Sequence, residues 1–437
     1  MPFDSILSFF NGLNLAPVIQ TAKEIFAVWW WVPLPFIIWR PLLFFWLWWR
    51  QDIYDDTVKR VIIEVRVPDE SLKPIRAMDT VISGMWQIYG PPNWFEKWWK
   101  GEFLLGFSFE IVSIDGIPHF YIRLPLKYRT ITESHIYSQY PDAEITEVED
   151  YSNKVPLDIP NKEWEMWGTD YHTLKPDPYP IKTYPEFETE KESEEEKRVD
   201  PISGLLEGMT RLKPGEQLWV QVVAIPFLDE KDWLKEGEAI KNKLVNRKSN
   251  PPVKTMVAEM GDLAVLGMPP GVKQEETKDI LPPEMKLTPG EKNVVAAIER
   301  KISKLGFVCN VRYLYVAKRD AFNTHHIRIP MSYFANFVTN DLNAIVPWGQ
   351  TITKIKQNWY DWYLLVQRRL YARKRRIIRN YRLRQAPLFP LPGGDFILDA
   401  EELATIYHFP SRTVAPASTV VRVESKKSEA PADLPVE

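Results

Sequence analysis

The stretch Ile25–Trp49, IFAVWWWVPLPFIIWRPLLFFWLWW, restricts what this chain can fold into more than any other segment. It is an apolar run of membrane-spanning length, broken only by Arg40 and by Pro33, Pro35 and Pro41. A helix rises about 1.5 Å per residue, and a bilayer core of roughly 30 Å takes about 20 apolar residues. Trp29, Trp30 and Trp31 stand near one end and Trp46, Trp48 and Trp49 at the other. As a helix, Trp30 to Trp48 would cover roughly 27 Å, and indole rings favour the water–lipid boundary. The expectation is a transmembrane or deeply re-entrant segment over 25–49, anchored by these six tryptophans, after an amphipathic N-terminus over 1–24. A cleaved signal peptide fits poorly, because no basic region precedes the run and no small-residue cleavage site follows it. A buried or interfacial helix stays open, since the prolines interrupt the helical ladder and Arg40 is costly in mid-bilayer. Lys23 is the one base before the run, whereas Arg50, Lys59 and Arg60 follow it closely. The positive-inside tendency therefore puts the large C-terminal body on the cytoplasmic side of the inner membrane.

A chain of 437 residues allows two or three domains. Its net charge of −3 hides strong local asymmetry, so the average says little about partners. The single cysteine, Cys309, excludes an intramolecular disulfide framework and fits a reducing compartment. It alternates with Phe307, Val311, Tyr313 and Tyr315, the inward face of an expected strand, where it acts as a small hydrophobe.

Over 60–150 the periodicity predicts one unit. Val61, Ile63, Val65 and Val67 alternate as in a strand, and Leu72–Tyr89 has helical spacing that ends at Gly90-Pro91-Pro92. Phe103–Ser113 and Ile117–Pro125 read as strands joined by Asp115-Gly116, a tight-hairpin signal. A helix over Tyr128–Tyr140 and a strand over Ala143–Val148 complete the order βαββαβ, the ferredoxin-like pattern. Residues 151–201 are rich in proline and then in acid, and are expected to form a solvated linker. A second α/β unit is expected over 202–346. It contains strand Leu218–Pro226, helix Leu228–Val245, a short helix near Val257–Leu266, a helix opened by the capping box Thr288-Pro289-Gly290-Glu291, strand Phe307–Ala317 and helix Met331–Leu342. A long helix is predicted inside 347–386, over Thr351–Arg384, with Ile352, Ile355, Trp359, Trp362, Val366 and Leu370 as its packed seam. The fold class expected is α+β: an N-terminal transmembrane segment, two α/β units, a long basic helix, and an extended tail over 387–437.

Known chemistry is hard to find in these residues. There is no GxxxxGK[ST] phosphate loop, no GxGxxG after a strand and no GxSxG elbow. The six histidines do not have ligand spacing, and His325-His326 are adjacent, so their side chains diverge. Asp142, Glu144, Glu147 and Asp150 read as a solvated strand face rather than an acid–base pair. The expectation is a chain without enzymatic activity, metal or cofactor. Partner chemistry points instead to the basic helix. From Lys354 to Arg384 eleven Lys or Arg face one acid, Asp361. Arg368, Arg369, Arg373, Lys374, Arg375, Arg376, Arg379, Arg382 and Arg384 could bind nucleic acid, with Tyr371 and Tyr381 available for stacking, or anionic lipid. An acidic protein or the chain's own acidic linker could neutralise them equally well, and charge alone does not choose.

Three segments carry a family resemblance: FEIVSIDGIPHFYIRLPLKYRTITESHIYSQYPDAEITEVEDY, the acidic linker, and AEELATIYHFP with SKKSEAPADLPVE after it. Together they resemble an uncharacterised bacterial family that accompanies, or is fused to, HerA-like or FtsK-like DNA-translocating ATPases of the type IV secretion and conjugation class. In fused relatives the ATPase domain begins about where this chain ends. The resemblance implies a membrane-anchored adaptor whose P-loop ATPase is a separate polypeptide, and a ring-shaped homo-oligomer to match a hexameric motor. It also makes the tail a docking segment, with Glu401, Glu402, Leu403, Tyr407, His408, Phe409 and Pro410 as the residues expected to meet the ATPase. The alternative is a membrane-surface nucleic-acid-binding protein acting through the basic helix over 368–384.

Overall fold

Pro33 and Pro35 sit in the first turn of a helix, α1 (Pro33–Thr57), where a missing N–H costs nothing. The structure, a computed structural model, describes residues 33–68, 73–187, 200–228, 232–245, 287–355, 363–387 and 393–410, and a few isolated earlier positions. It divides into two units: residues 1–59 with 90–104, and residues 60–89 with 105–437.

The expected transmembrane segment over 25–49 is overturned. Among the described residues no helix is long and apolar enough to cross a membrane. The reason is where α1 lies: it carries Arg40 in its second turn and continues through Arg50, Asp52, Asp55 and Asp56. Charge at both ends of Pro41–Trp49 leaves too short an apolar stretch for a bilayer core. Trp29, Trp30 and Trp31 lie outside the described residues.

The larger unit is built on one nine-stranded sheet. Its first elements are β1 (Arg60–Arg66), α2 (Ile75–Met85), β2 (Phe107–Ile114), β3 (Ile117–Pro125), α3 (Arg129–Gln139) and β4 (Glu144–Val148). Asp115 and Gly116 both take positive φ, 53° and 87°, which the two-residue turn between β2 and β3 requires. The next elements are β5 (Trp164–Thr173), α4 (Ser203–Thr210), β6 (Glu216–Phe227), α5 (Asp232–Leu244), α6 (Pro289–Ile302) and β7 (Gly306–Lys318). They are followed by α7 (Arg328–Ala335), β8 (Ile345–Pro347), α8 (Tyr363–Leu383), β9 (Asp395–Asp399) and α9 (Ala400–Ile406). The strand order is β4-β1-β3-β2-β6-β7-β5-β8, with β9 on β7 and every pairing antiparallel.

The expected pair of α/β units is therefore corrected to a single antiparallel sheet with helices. Strand β2 pairs with β6 from Phe107 opposite Ala224 to Ile114 opposite Gln217, so no boundary interrupts the ladder. Strand β5, inside the expected linker, pairs with β7 over Trp164–Asp170 and with β8 over Tyr171–Thr173. Its sequence, WEMWGTDYHT, mixes charge with aromatics and so hides the two-residue period. The acidic stretch 188–199 lies outside the described residues, as do Val257–Leu266 and the last 27 positions. The predicted long helix is shorter at its start: Thr351 and Thr353 are in a loop that bonds to β5, and 356–362 lie outside the described residues.

Strand alternation gives the sheet two buried faces. Phe107, Phe109 and Ile111, Val220 and Val222, and Phe307 and Cys309 face a core closed by α2, α3, α4, α7 and α9. The opposite positions, among them Tyr121, Trp219 and Leu314, pack with Tyr151, Val155 and Ile159 and with Ile377, Ile378 and Tyr381 of α8. Thr288 and Glu291 form the capping box of α6, and Asp399 and Glu402 form that of α9.

Candidate functional site

Three features hold the residues singled out by sequence. The first is the aromatic unit. The Trp46 indole N–H donates to the Trp98 carbonyl at 2.9 Å, and Arg50 Nε donates to the Trp99 carbonyl at 2.6 Å. The rings of Trp46 and Trp99 meet edge to face at 5.8 Å, and those of Tyr54 and Phe103 at 5.6 Å. A π-helical turn over Glu96–Lys100 ends at Gly101, whose φ is 77°. A Cβ there would lie 2.2 Å from the Arg50 carbonyl oxygen, so only glycine allows this approach. Pinning α1 in this way leaves large apolar side chains in solvent: Trp39, Leu42, Phe44, Phe45, Trp48 and Trp49 on the helix, and Trp94, Phe95 and Trp99 on the second segment. Phe44 is 67% exposed and Trp94 69%. Monomeric soluble proteins rarely show so much apolar surface without a partner for it.

The second feature is α8, which lies on the sheet with one side and meets solvent with the other. Its basic residues separate accordingly. Arg384 is buried and ion-pairs with Glu110 at 2.9 Å and with Asp150 at 2.5 Å. Glu110, fully buried on β2, also accepts hydrogen bonds from Ser108, Tyr151 and Gln221. Burial alone would raise the Glu110 carboxyl, but the Arg384 guanidinium outweighs it and holds the carboxyl below its ordinary range. Arg384 follows α8 in the left-handed conformation, with φ 54°. Lys374 pairs with Glu165 at 2.6 Å, Arg382 donates to the Val155 carbonyl, and Arg373 donates to the Ile352 carbonyl at 3.0 Å. Arg375 is exposed and pairs with Asp158 at 3.1 Å. Arg368 and Arg379 are exposed and have no partner among the described residues; Arg369 is exposed and Arg376 half-buried. Of the two aromatic side chains offered for stacking, Tyr371 is exposed, but Tyr381 is buried against Trp219.

Sequence reasoning missed the acids that absorb this charge. Asp150, read as solvated, bonds Arg384, and Glu110 was not singled out at all. The signal for Glu110 was a carboxylate inside the apolar strand FSFEIVSI, which in a buried position needs a cation.

The third feature is the segment expected to dock an ATPase. Glu401, Glu402, Leu403, Tyr407, His408 and Phe409 are all buried, and Pro410 is half-buried. Glu402 pairs with the buried Lys301 at 3.0 Å and accepts from the Ile181 N–H. Glu401 accepts from the Thr183 hydroxyl at 2.5 Å. His408 meets Asp200 at 2.8 Å, and the Tyr407 ring packs on Phe109, Phe120 and Phe409. Apart from Pro410 at its edge, these side chains are packed into the chain's own core. Among the described residues no cluster of three or more His, Cys, Asp or Glu could hold a metal ion.

Residues 60–419 match the family described as a domain of unknown function, DUF8128. The chain belongs to the DUF8128 family. The match begins at β1, so it leaves out α1 but takes in the second segment of the aromatic unit. No curated protein matches the chain. The DUF8128 match names no activity and provides no link to secretion or conjugation.

Proposed function

We propose that this DUF8128 protein is a non-enzymatic scaffold that rests on a membrane surface and serves a P-loop ATPase carried on a separate chain. The observation that carries the membrane half is the exposed aromatic surface of α1 and residues 90–104. Tryptophan and phenylalanine in such number suit the headgroup boundary, where a ring buries its apolar body and an indole N–H keeps a polar partner. On this reading α1 lies in the interface instead of crossing the bilayer. The body then faces the cytoplasm from the inner membrane. The ATPase half rests on the resemblance of the hairpin and EELATIYHFP segments to chains that accompany such motors. Any dock for it belongs on the body's surface rather than in 395–410.

The charge of the aromatic unit decides the kind of membrane binding. Over residues 33–59 and 90–104, Arg40, Arg50, Lys59, Lys97 and Lys100 are balanced by Asp52, Asp55, Asp56, Glu96 and Glu102, five against five. Attachment is therefore apolar and nearly insensitive to salt. Flotation of the protein with neutral phosphatidylcholine vesicles at low and high salt tests this. The wild type is expected to float in both, and the triple change Phe44→Ser, Trp48→Ser, Trp94→Ser to bind at least about tenfold more weakly. A wild type that stays at the bottom of the gradient sinks the membrane half. Affinity capture with and without the body separates off the ATPase half, which fails if no P-loop ATPase is recovered with the body.

A second reading has its own observation: Arg368 and Arg379 project from the outer side of α8 beside exposed Arg375. Phosphate contacts there would give nucleic-acid binding that weakens steeply with salt. Changing Arg368 and Arg379 to Ala is then expected to reduce the salt slope. The reading fails if no labelled oligonucleotide binds at low salt.

A further inference from the structure

A cavity of about 310 Å³ opens beside the start of β5, between α8 and the loop after β7. That volume is within the range of small-molecule sites, roughly 300–1,000 Å³. Its walls combine two kinds of chemistry. Trp167 and Phe322 bring aromatic rings, with Met166 and Ile327 as aliphatic neighbours. Trp167 is held in place by stacking on Tyr313, with centroids 5.2 Å apart. Its indole N–H has no hydrogen-bond partner among the described residues. Lys374 and Arg319 bring two positive charges, and both lean on one carboxylate, Glu165, at 2.6 and 3.3 Å. One positive charge is left over at the cavity wall. Arg319 is half exposed at the mouth, where its Nε donates to the Asn161 carbonyl at 2.6 Å and its Nη2 meets Glu165, while Lys374 is nearly buried.

We propose that this cavity binds a planar aromatic molecule carrying one anionic group. The ring would lie against Trp167 and Phe322, and the anion would take the surplus charge through Arg319 and Lys374. Arginine suits this task because its planar fork can hold a carboxylate or phosphate with two hydrogen bonds. A neutral ring would leave the cation unmatched, and a purely ionic ligand would leave the aromatic wall wet.

The test uses the full chain in detergent and two matched probes, indole-3-acetate and the neutral indole-3-acetamide. Binding is read by saturation-transfer NMR titration. The acetate is expected to bind, and the amide about tenfold more weakly, the loss that follows when a charge-assisted hydrogen bond is missing. Thr324 lies exposed on the rim, so Thr324→Trp fills the mouth without touching the core. It is expected to abolish binding, and it serves as the blank for partition into micelles. Arg319→Gln is expected to bring acid and amide closer together, and it stands as the independent check if Thr324→Trp misfolds. The proposal is overturned if neither probe binds the wild type, or if folded Thr324→Trp binds as well as the wild type. Equal affinity for acid and amide overturns it as well.

Discussion

Arg384 shows how much one residue can decide. It takes a left-handed conformation that a non-glycine residue rarely adopts, and it brings a full charge into the interior. Both costs are offset by Glu110 and Asp150. Removing one partner of a buried pair costs about 3–5 kcal/mol, because the other charge is left stranded. Glu110→Gln is expected to destabilise the fold by about 3 kcal/mol in urea titration. The double change Glu110→Leu, Arg384→Leu should cost less than the sum of the singles. Because the Glu110 carboxyl is held below its unfolded value, its contribution is present at neutral pH and is lost as pH falls through the folded pKa. Asp399 works in the opposite direction. Burial, then the neighbouring Glu402 carboxylate, push it from 3.8 to about 7. The folded state therefore holds that proton more tightly than the unfolded chain, and stability declines as pH rises from the ordinary value through about 7. Asp399→Asn keeps an oxygen for the Glu402 N–H and is expected to flatten that decline. Melting temperatures from pH 5 to 8 would check it, and an unchanged slope would assign the effect to another group.

Elements are set partly by their own residues and partly by what they meet. The turn at Asp115-Gly116 and the cap at Thr288 are local and legible in the sequence, whereas the cap at Asp399, equally local, lies in the stretch expected to be an extended tail. For α8 the sequence states the charge but not its fate. Lys374, Arg382 and Arg384 are consumed by the fold, whereas Arg368 and Arg379 are left for solvent or a partner. The last elements, β9 and α9, read as a tail because they are short and follow Pro387, Pro390 and Pro392. In space β9 pairs with β7 and α9 completes the core. Truncation after Pro390 is therefore expected to yield a misfolded body rather than a folded one that has lost a partner. Loss of near-ultraviolet circular dichroism would report it. Tyr407→Ala is a finer probe, expected to cost about 3–5 kcal/mol for the large aromatic removed from a packed site. In the aromatic unit, Gly101→Ala should loosen the turn from α1. A red shift in tryptophan emission is the expected signature, and an unshifted spectrum would mean that the close approach to Arg50 tolerates a methyl.

At the scale of the whole molecule, continuity of the sheet is the main fact of the larger unit. The stretches 60–150 and 202–346 look like separate domains, yet β2 pairs with β6 along its length and β5 is held between β7 and β8. Expressed alone, residues 60–150 would expose the edge of β2 with Phe107, Phe109 and Ile111 bare, and are expected to aggregate. Well-dispersed amide resonances from that fragment would show that the first four strands stand by themselves after all.

The sequence by itself determined what depends on neighbours a few positions apart. Strand alternation in VIIEV and FVCNVRYLYV, the hairpin turn, the capping box at Thr288 and the helical seam of α8 at Val366 and Leu370 are of this kind. So is the missing phosphate loop, since that motif is a run of adjacent residues. Tertiary structure alone decided which residues become partners across the chain. Glu110 and Arg384 are 274 positions apart, and β5 found its place between strands more than 130 residues downstream. No periodicity encodes such pairings, because they depend on which faces are desolvated once the sheet has closed. The same reason explains the misread ends of the chain. An apolar run and a short polar-looking tail each had a plausible local meaning. What changed it was the charge that α1 carries into its later turns and the core that α9 enters.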